Sequence, residues 1–286
     1  MDILITSCFA GGMLTLLYGI IETKLLKVKE YTYKSEKVPE ELKGKKLALI
    51  SDVHGIYHGK DNARLFDKLS SINPDCIVIC GDLVNGRGEK ELKYAFHFLR
   101  KVRKLKIPVI YTFGNHEEKL RKKHRRACKK LIRFSNRRIF LLNNRAVKIN
   151  GFGNTVFTGL NLPLWMYHGR DTDGILKKRT DKILSKLNTD SSFKILIAHD
   201  PEHIKEYAES GYDLCLSGHL HGGIVYLPYI GGIVTPRFQL FKKEVKGLHE
   251  CGNMKMIISG GVGWHDIPVR LFNRPEIVVV HFDKDS

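Results

Sequence analysis

Short, unbroken apolar runs recur along the chain at 47–51, 76–80 and 109–113. Runs of that length and character predict strands buried on both faces. Between them, 62–71 and 89–104 place apolar residues at helical spacing. Ala63, Leu65, Phe66 and Leu69 share one face of the first, and Leu92, Ala95, Phe96, Leu99 and Val102 share one face of the second. Strands alternating with helices predict a parallel sheet in the first half of the chain. The second half reads as richer in strands, at 147–149, 155–160, 193–198, 213–216, 256–259 and 277–282, with helices over 173–187 and 201–210. The pattern predicts an α/β fold of two stacked sheets with helices outside.

The amino terminus departs from this pattern. Residues 3–21 contain no charged side chain, close to the about 20 residues a helix needs to cross hydrocarbon. Gly11 and Gly12 are tolerated in such a span, and Tyr18 lies near one end, where an aromatic ring suits the interface. A secretory signal would open with basic residues, whereas only Asp2 follows Met1. Ile5-Thr6-Ser7-Cys8 faintly resembles a lipoprotein cleavage site, but no apolar region precedes it. The expectation is a transmembrane anchor over 1–23, a polar linker over 24–44 with Pro39 and Gly44, and one catalytic domain over 45–286. A soluble helix packed on the domain is the alternative. Lys24, Lys27 and Lys29 follow the span directly, which predicts a single-pass protein of the cell membrane whose domain faces the cytoplasm.

Five short motifs then carry the chemistry: Asp52-Val53-His54, Gly81-Asp82, Gly114-Asn115-His116-Glu117, His199, and Gly218-His219-Leu220-His221. Each sits at or just after a predicted strand. Ligands of parallel sheets lie beyond the carboxyl ends of the strands, so these groups should converge. Asp52 and His54 are two apart, as are His219 and His221, and on extended chain such pairs point the same way. The glycines allow tight turns and close backbone approach. A lone histidine would read as a core residue; a set this large does not. Its imidazoles suit zinc, iron or manganese better than calcium. Two divalent cations bring four positive charges, and Asp52 and Asp82 return two, so the centre would attract a phosphate oxyanion. Two such ions roughly 3.5–4 Å apart can acidify a water and clamp a phosphate ester. His116, directly after Asn115, is the candidate for stabilising charge or protonating the leaving group.

Composition adds a partner class. A formal charge of +18 over 286 residues calls for something anionic. Much of it lies in 118–138, where Leu120, Ala127, Cys128, Leu131 and Ile132 share a helical face. That segment is either a core-packed helix with a solvated basic exterior or a patch for an anionic membrane surface, where each cation contributes about 1 kcal/mol. No nucleic-acid motif accompanies the charge, so nucleic acid is not an expected partner. Cys76, Cys80 and Cys215 lie in apolar runs and read as buried small residues of a reducing compartment. Residues 162–167 could form a lip for an acyl chain or a loop packed on the core. Arg270 could grip a second phosphate or make a structural ion pair. His58, His97, His124, His168, His203, His249 and His265 receive no role, and the sequence says nothing of oligomeric state.

The ordered set Asp-x-His, Gly-Asp, Gly-Asn-His-Glu, His and Gly-His-x-His resembles the calcineurin-like metallophosphoesterase superfamily, with every element matched from about residue 45 onward. The resemblance implies a four-layer αββα sandwich and a dinuclear centre. Asp52, His54, Asp82 and His221 would hold one metal. Asp82, Asn115, His199 and His219 would hold the other, with Asp82 bridging. A narrower likeness, in Gly222-Gly223, Pro228, Thr235-Pro236, Gly260-Gly261-Val262-Gly263, Pro268-Val269-Arg270 and Pro275-Glu276-Ile277, is to the bacterial membrane-anchored branch. Its members are phosphodiesterases, some acting on the pyrophosphate of UDP-2,3-diacylglucosamine. Two features depart from that branch: Asn85, where aspartate is common, and the basic segment. The expected function is therefore a membrane-anchored, two-metal hydrolase of phosphodiester or pyrophosphate bonds, acting on a phosphorylated small molecule or a lipid. The competing readings are a soluble enzyme of nucleotides or nucleic acid and a non-catalytic metal-binding scaffold.

Overall fold

A computed structural model describes residues 2–136, 139–167, 174–186, 192–227, 229–234, 240–264 and 267–284. The helices are α1 (Asp2–Glu22), α2 (Ala63–Ile72), α3 (Leu92–Lys104), α4 (Asn115–Lys123), α5 (Arg125–Ser135), α6 (Ile175–Leu184) and α7 (Ile204–Glu209). The strands are β1 (Lys27–Lys34), β2 (Lys46–Ile50), β3 (Cys76–Cys80), β4 (Val109–Thr112), β5 (Phe140–Leu141), β6 (Arg145–Val147), β7 (Thr155–Leu160), β8 (Phe193–Ala198), β9 (Leu214–Ser217), β10 (Val225–Leu227), β11 (Gly231–Val234), β12 (Leu240–Lys242), β13 (Gly247–Cys251), β14 (Met254–Ile258) and β15 (Glu276–Asp283).

One six-stranded sheet runs β1-β15-β2-β3-β4-β5 and a second runs β13-β14-β9-β8-β7-β6. Strands β2 to β5 are parallel, as are β7, β8, β9 and β14. The apolar runs are continuous because each strand faces two cores. Leu47, Leu49, Val78 and Cys80 point between the sheets and meet Ile195, Ile197, Leu214 and Leu216. Ala48, Ile50, Ile77 and Ile79 point outward under α2, α3 and α5, against Leu65, Leu69, Phe98, Leu99 and Leu131. Val156, Leu196, Ala198 and Cys215 face α6 and α7 through Leu176, Ile183 and Tyr207. Each such side chain contributes about 1.5–3 kcal/mol by leaving water, which fixes the strand ends that carry the motifs. The result is the expected four-layer αββα arrangement.

Several expectations are corrected. The stretch read as a linker, 24–44, contains β1, paired in parallel with β15 from Lys27↔Glu276 to Lys34↔Asp283. Its sequence, KVKEYTYK, belongs to an edge strand with few buried positions, so it shows no apolar run. The transmembrane expectation also changes. Residues 3–21 do lie in α1, but no helix among the described residues is long and apolar enough to cross a membrane. Instead the helix exposes Phe9, Met13, Leu14, Leu16 and Leu17, while its last turn is seated on the domain through Gly19 and Glu22. The basic segment forms two helices, α4 and α5, broken at His124 (φ −132°, ψ 60°). Leu120, Ala127, Cys128 and Leu131 are buried as expected, and Arg121, Lys122, Lys123, Arg125 and Arg126 are exposed.

The strand expected at 147–149 lies two residues earlier, as β6. Leu162, Met166 and Tyr167 pack into the core beneath the second sheet, which favours the packed-loop reading of 162–167. Cys76, Cys80, Cys128 and Cys215 are buried thiols. Arg137, Arg138, His168, Asp173, Leu187, Pro228, Thr235, Pro236 and His265 lie outside the described residues.

Candidate metal centre

The carboxyl ends of β2, β3, β4, β8 and β9 open on one place, and the predicted donors meet there. One nitrogen or carboxylate oxygen from each of Asp52, His54 and His221 falls within a 4.8 Å cluster. Asp82, His199 and His219 form a second such cluster, and His54, Asp82 and His116 a third. Asp82 Oδ2 lies 3.0 Å from His199 Nε2, 3.9 Å from His54 Nε2 and 3.9 Å from His116 Nε2. It therefore reaches both halves of the centre. Asp52 Oδ1 is 3.5 Å from His221 Nε2 and 3.7 Å from His199 Nε2.

The loops are held by backbone in unusual conformations. Asp52, His54, Asp82, His219 and His221 all have φ between 49° and 73°. Strain of that kind persists where surrounding contacts fix it, commonly at functional sites. Gly81 (φ +75°) shows the crowding, because a Cβ there would lie 2.5 Å from His199 Nδ1. Glu117 does most of the fastening. Its carboxylate accepts the backbone N–H groups of Asp82 (2.9 Å), Leu83 (2.8 Å) and Gly114 (2.9 Å) and the hydroxyl of Tyr111 (2.9 Å). It thus ties the β3 loop to the β4 loop from below.

Ring orientation is set in the same way. His199 Nδ1 donates to the Cys80 carbonyl at 2.8 Å, which turns Nε2 toward Asp82. His116 Nδ1 donates to the Asn85 carbonyl at 2.6 Å, which turns Nε2 toward the same carboxylate. Fixing one imidazole nitrogen fixes the tautomer of the other. Asn85 Nδ2 in turn donates to the His54 carbonyl at 2.9 Å.

The chemistry of the donor set fits two divalent ions. His54 Nε2 and His221 Nε2 face each other at 3.2 Å with near-parallel rings. Two imidazoles on one zinc-like ion stand about 3.3 Å apart, given metal–nitrogen bonds of about 2.0–2.1 Å. Asn115 Oδ1 is buried and accepts no hydrogen bond among the described residues, a cost a cation would remove. Electrostatics agree. Burial alone would push Asp82 up, but His199, His116 and His54 outweigh it and hold the carboxyl well below its ordinary value. Burial would lower His199, and Asp82 and Asp52 instead raise it well above the imidazole norm. Asp52, dominated by burial and pushed further by Asp82, rises to about 6.

Of the two expectations for Arg270, a grip on a second phosphate or a structural ion pair, its surroundings favour a structural role, made through carbonyls. Arg270 is 2% exposed, and its guanidinium donates to the carbonyls of His221 (3.1 Å), Asn273 (3.3 Å), Gly261 (3.4 Å) and Gly263 (2.5 Å). Asn273 Nδ2 adds bonds to His221 (2.7 Å) and Gly223 (2.5 Å) carbonyls. Arg270 is a clamp on the His221 and Gly261 loops.

Sequence reasoning missed the fastening by Glu117, Arg270 and Asn273, and the tilted stacking of Tyr167 on His219 at 5.2 Å. It also gave no role to two buried histidines that brace loops: His58 Nε2 contacts Val262 O at 2.6 Å, and His203 Nε2 contacts Met166 O at 3.1 Å.

Residues 45–223 match the family model described as calcineurin-like phosphoesterase. Among curated proteins, the chain is 30% identical over 276 residues to an uncharacterized metallophosphoesterase of Aquifex aeolicus, covering 92% of this chain and 94% of that protein. It is 26% identical over 263 residues to the uncharacterized metallophosphoesterase YkuE of Bacillus subtilis, covering 91% and 86%. It is 27% identical over 276 residues to a Danio rerio protein named transmembrane protein with metallophosphoesterase domain, covering 91% and 58%.

Proposed function

The chain belongs to the calcineurin-like phosphoesterase family, and from that premise we propose a membrane-associated hydrolase of phosphodiester or pyrophosphate bonds. The observation that carries the hydrolytic reading is the position of Asp82 Oδ2, within 3.9 Å of His54, His116 and His199 and shared by two of the donor clusters. Asp52, His54 and His221 would hold one ion, Asn115, His199 and His219 the other, and Asp82 both. When bound, manganese, iron or zinc ions there would acidify a water and neutralise the charge of the phosphate. His116 is buried with Nε2 turned toward Asp82 and Nδ1 bound to the Asn85 carbonyl, and as the imidazolium it would pass its Nε2 proton to the departing oxygen and be left neutral. Glu117, Arg270 and the Asn85 carbonyl keep these groups in register while water adds to phosphorus and the bond to the departing oxygen breaks.

Membrane association rests on α1. Its side chains from Phe9 to Leu17, all apolar but Thr15, are exposed, including Phe9 at 73% and Leu14 at 66%. Leaving that much apolar surface in water is costly, and the helix enters lipid in this reading. Lys24, just beyond it, is exposed and would meet anionic headgroups beside the helix. The substrate class that suits both features is a lipid-linked phosphodiester or pyrophosphate, with UDP-2,3-diacylglucosamine as the specific candidate. The manganese-loaded full chain, offered aryl phosphodiesters, nucleoside diphosphate sugars and lipid pyrophosphates, should turn over the diesters and prefer the lipid-linked member. Hydrolysis of none of them would remove the reading.

A further inference from the structure

Resting on that membrane-associated reading, we propose that the β10–β11–β12 sheet and the 267–274 arm form a second lipid-contact surface beside the metal centre, built to meet an anionic phospholipid bilayer.

Isolated exposed apolar residues are ordinary, but here they are grouped on one connected structure. Tyr229, Ile230, Leu240 and Phe241 are exposed on the small sheet, and Ile267 and Phe272 on the arm. Backbone bonds join the two: Tyr226 N–H donates to Leu271 O at 3.0 Å, and Leu271 N–H donates to Ile224 O at 2.8 Å. The arm is in turn joined to α1. Arg270 N–H donates to Gly19 O at 3.2 Å, Glu22 accepts the Phe272 N–H at 2.7 Å, and the Tyr18 and Phe272 rings lie 6.0 Å apart. The apolar exterior of α1 therefore continues onto the sheet.

The backbone supports a purpose for these rings. Tyr229 (φ 70°), Phe241 (φ 52°) and Phe272 (φ 56°) occupy the left-handed region, and no other described Phe or Tyr does. Each costs about 1–2 kcal/mol. All three are at least 58% exposed, so packing in the free protein does not repay that cost. Among the other left-handed residues, Asp52, His54, Asp82, His219 and His221 belong to the candidate centre, and Asp61, Asn62, Asn73 and Asn144 are of the types that tolerate this conformation, which leaves Lys106 and the three rings. An outside partner accounts for the aromatic ones.

Charge and position select a bilayer as that partner. Lys24, Lys243 and Arg274 are exposed around the patch, and Lys246 Nζ lies 3.8 Å over the Tyr226 ring. Exposed aromatic rings bordered by cations suit the headgroup region of an anionic leaflet. The surface also lies at the reacting end of the fold. Strand β15 runs antiparallel to β2, with Val278 opposite Leu49, so Glu276 and its β1 partner Lys27 stand at the end where β2 leads to Asp52. Only Gly222, Gly223 and Ile224 separate His221 from β10. The basic helices α4 and α5 adjoin β4 and β5, whereas α1 leads into β1 at the opposite edge; β1 and β5 are five strand spacings apart, about 24 Å at about 4.8 Å each. The sheet and arm, which adjoin α1, are the surface proposed here, and contact there would bring headgroup phosphates to the metal-centre end of the fold.

The full chain carrying Phe241→Trp, or Phe140→Trp on β5 as control, is mixed with vesicles of phosphatidylglycerol and phosphatidylcholine, with and without brominated acyl chains. Flotation reports whether α1 holds the protein to lipid. The added emission of the Phe241→Trp protein should be quenched by brominated chains, and that of the control should not. Ile230→Ser combined with Leu240→Ser should reduce vesicle partitioning several-fold at unchanged turnover of a soluble aryl diester. Flotation without quenching at 241 overturns this surface and leaves the α1 reading standing. Failure to float overturns both, and quenching at 241 by an added soluble protein but not by brominated lipid overturns the surface alone.

Discussion

Glu117 and Tyr111 form the buried link beneath the centre: the Tyr111 hydroxyl donates to Glu117 Oε1 at 2.9 Å, and that carboxylate also receives the Asp82, Leu83 and Gly114 amides. Glu117→Gln replaces one acceptor oxygen with a donor and leaves at least one buried N–H facing it. The variant should lose about 1–3 kcal/mol of stability and bind metal more weakly, read by thermal unfolding with and without manganese. Tyr111→Phe removes one donor only and should cost about 0.5–1.5 kcal/mol.

His116→Ala should lower kcat for an aryl phosphodiester by about 10²–10⁴ while metal content stays at the level of the unchanged protein. His116 Nε2 stands 3.9 Å from Asp82 Oδ2, as does His54 Nε2, so distance alone does not separate a proton donor from a metal holder and the metal content of the variant does. Equal loss of metal and activity would make it a ligand instead.

Arg270→Lys keeps a positive charge but cannot span four carbonyls. If Arg270 is a clamp, the variant loses stability and metal occupancy together. If it gripped substrate, KM would rise with stability unchanged. Unfolding and metal analysis on the same preparation separate the two.

Metal uptake should depend on pH in a stated direction. With Asp52 raised to about 6, the metal-free protein holds a proton there at pH 5 and releases it by pH 7. His199, raised by Asp82 against the opposing effect of burial, stays protonated higher still. Cations must displace these protons. Loading should therefore weaken as pH falls below about 6, and at pH 7 uptake should release protons detectable with an indicator dye. Uptake independent of pH between 5 and 8 would contradict the assigned donors.

The convergence of the candidate donors was legible because most of them follow a continuous apolar run closely, and parallel strands buried on both faces deliver the residues after them to the same end of the sheet. Asp52, Asp82 and Asn115 met for that reason. What holds them was not legible. Most of the groups that Glu117 and Asn273 bind, and the His221 carbonyl that Arg270 binds, lie 33 to 52 residues away, and bonds of that reach leave no mark in spacing or polarity. Strand β1 was missed because an edge strand buries little of KVKEYTYK. The break at His124 was hidden because Leu120 and Leu131 stay on the buried side across it.

The shared role of Asp82 is tested most directly by counting metal. Elemental analysis of the manganese-loaded full chain should give about two ions per chain, and Asp82→Asn should lose most of that metal together with phosphodiesterase turnover. Full occupancy and full turnover in Asp82→Asn, or no metal in the unchanged protein, would contradict the account.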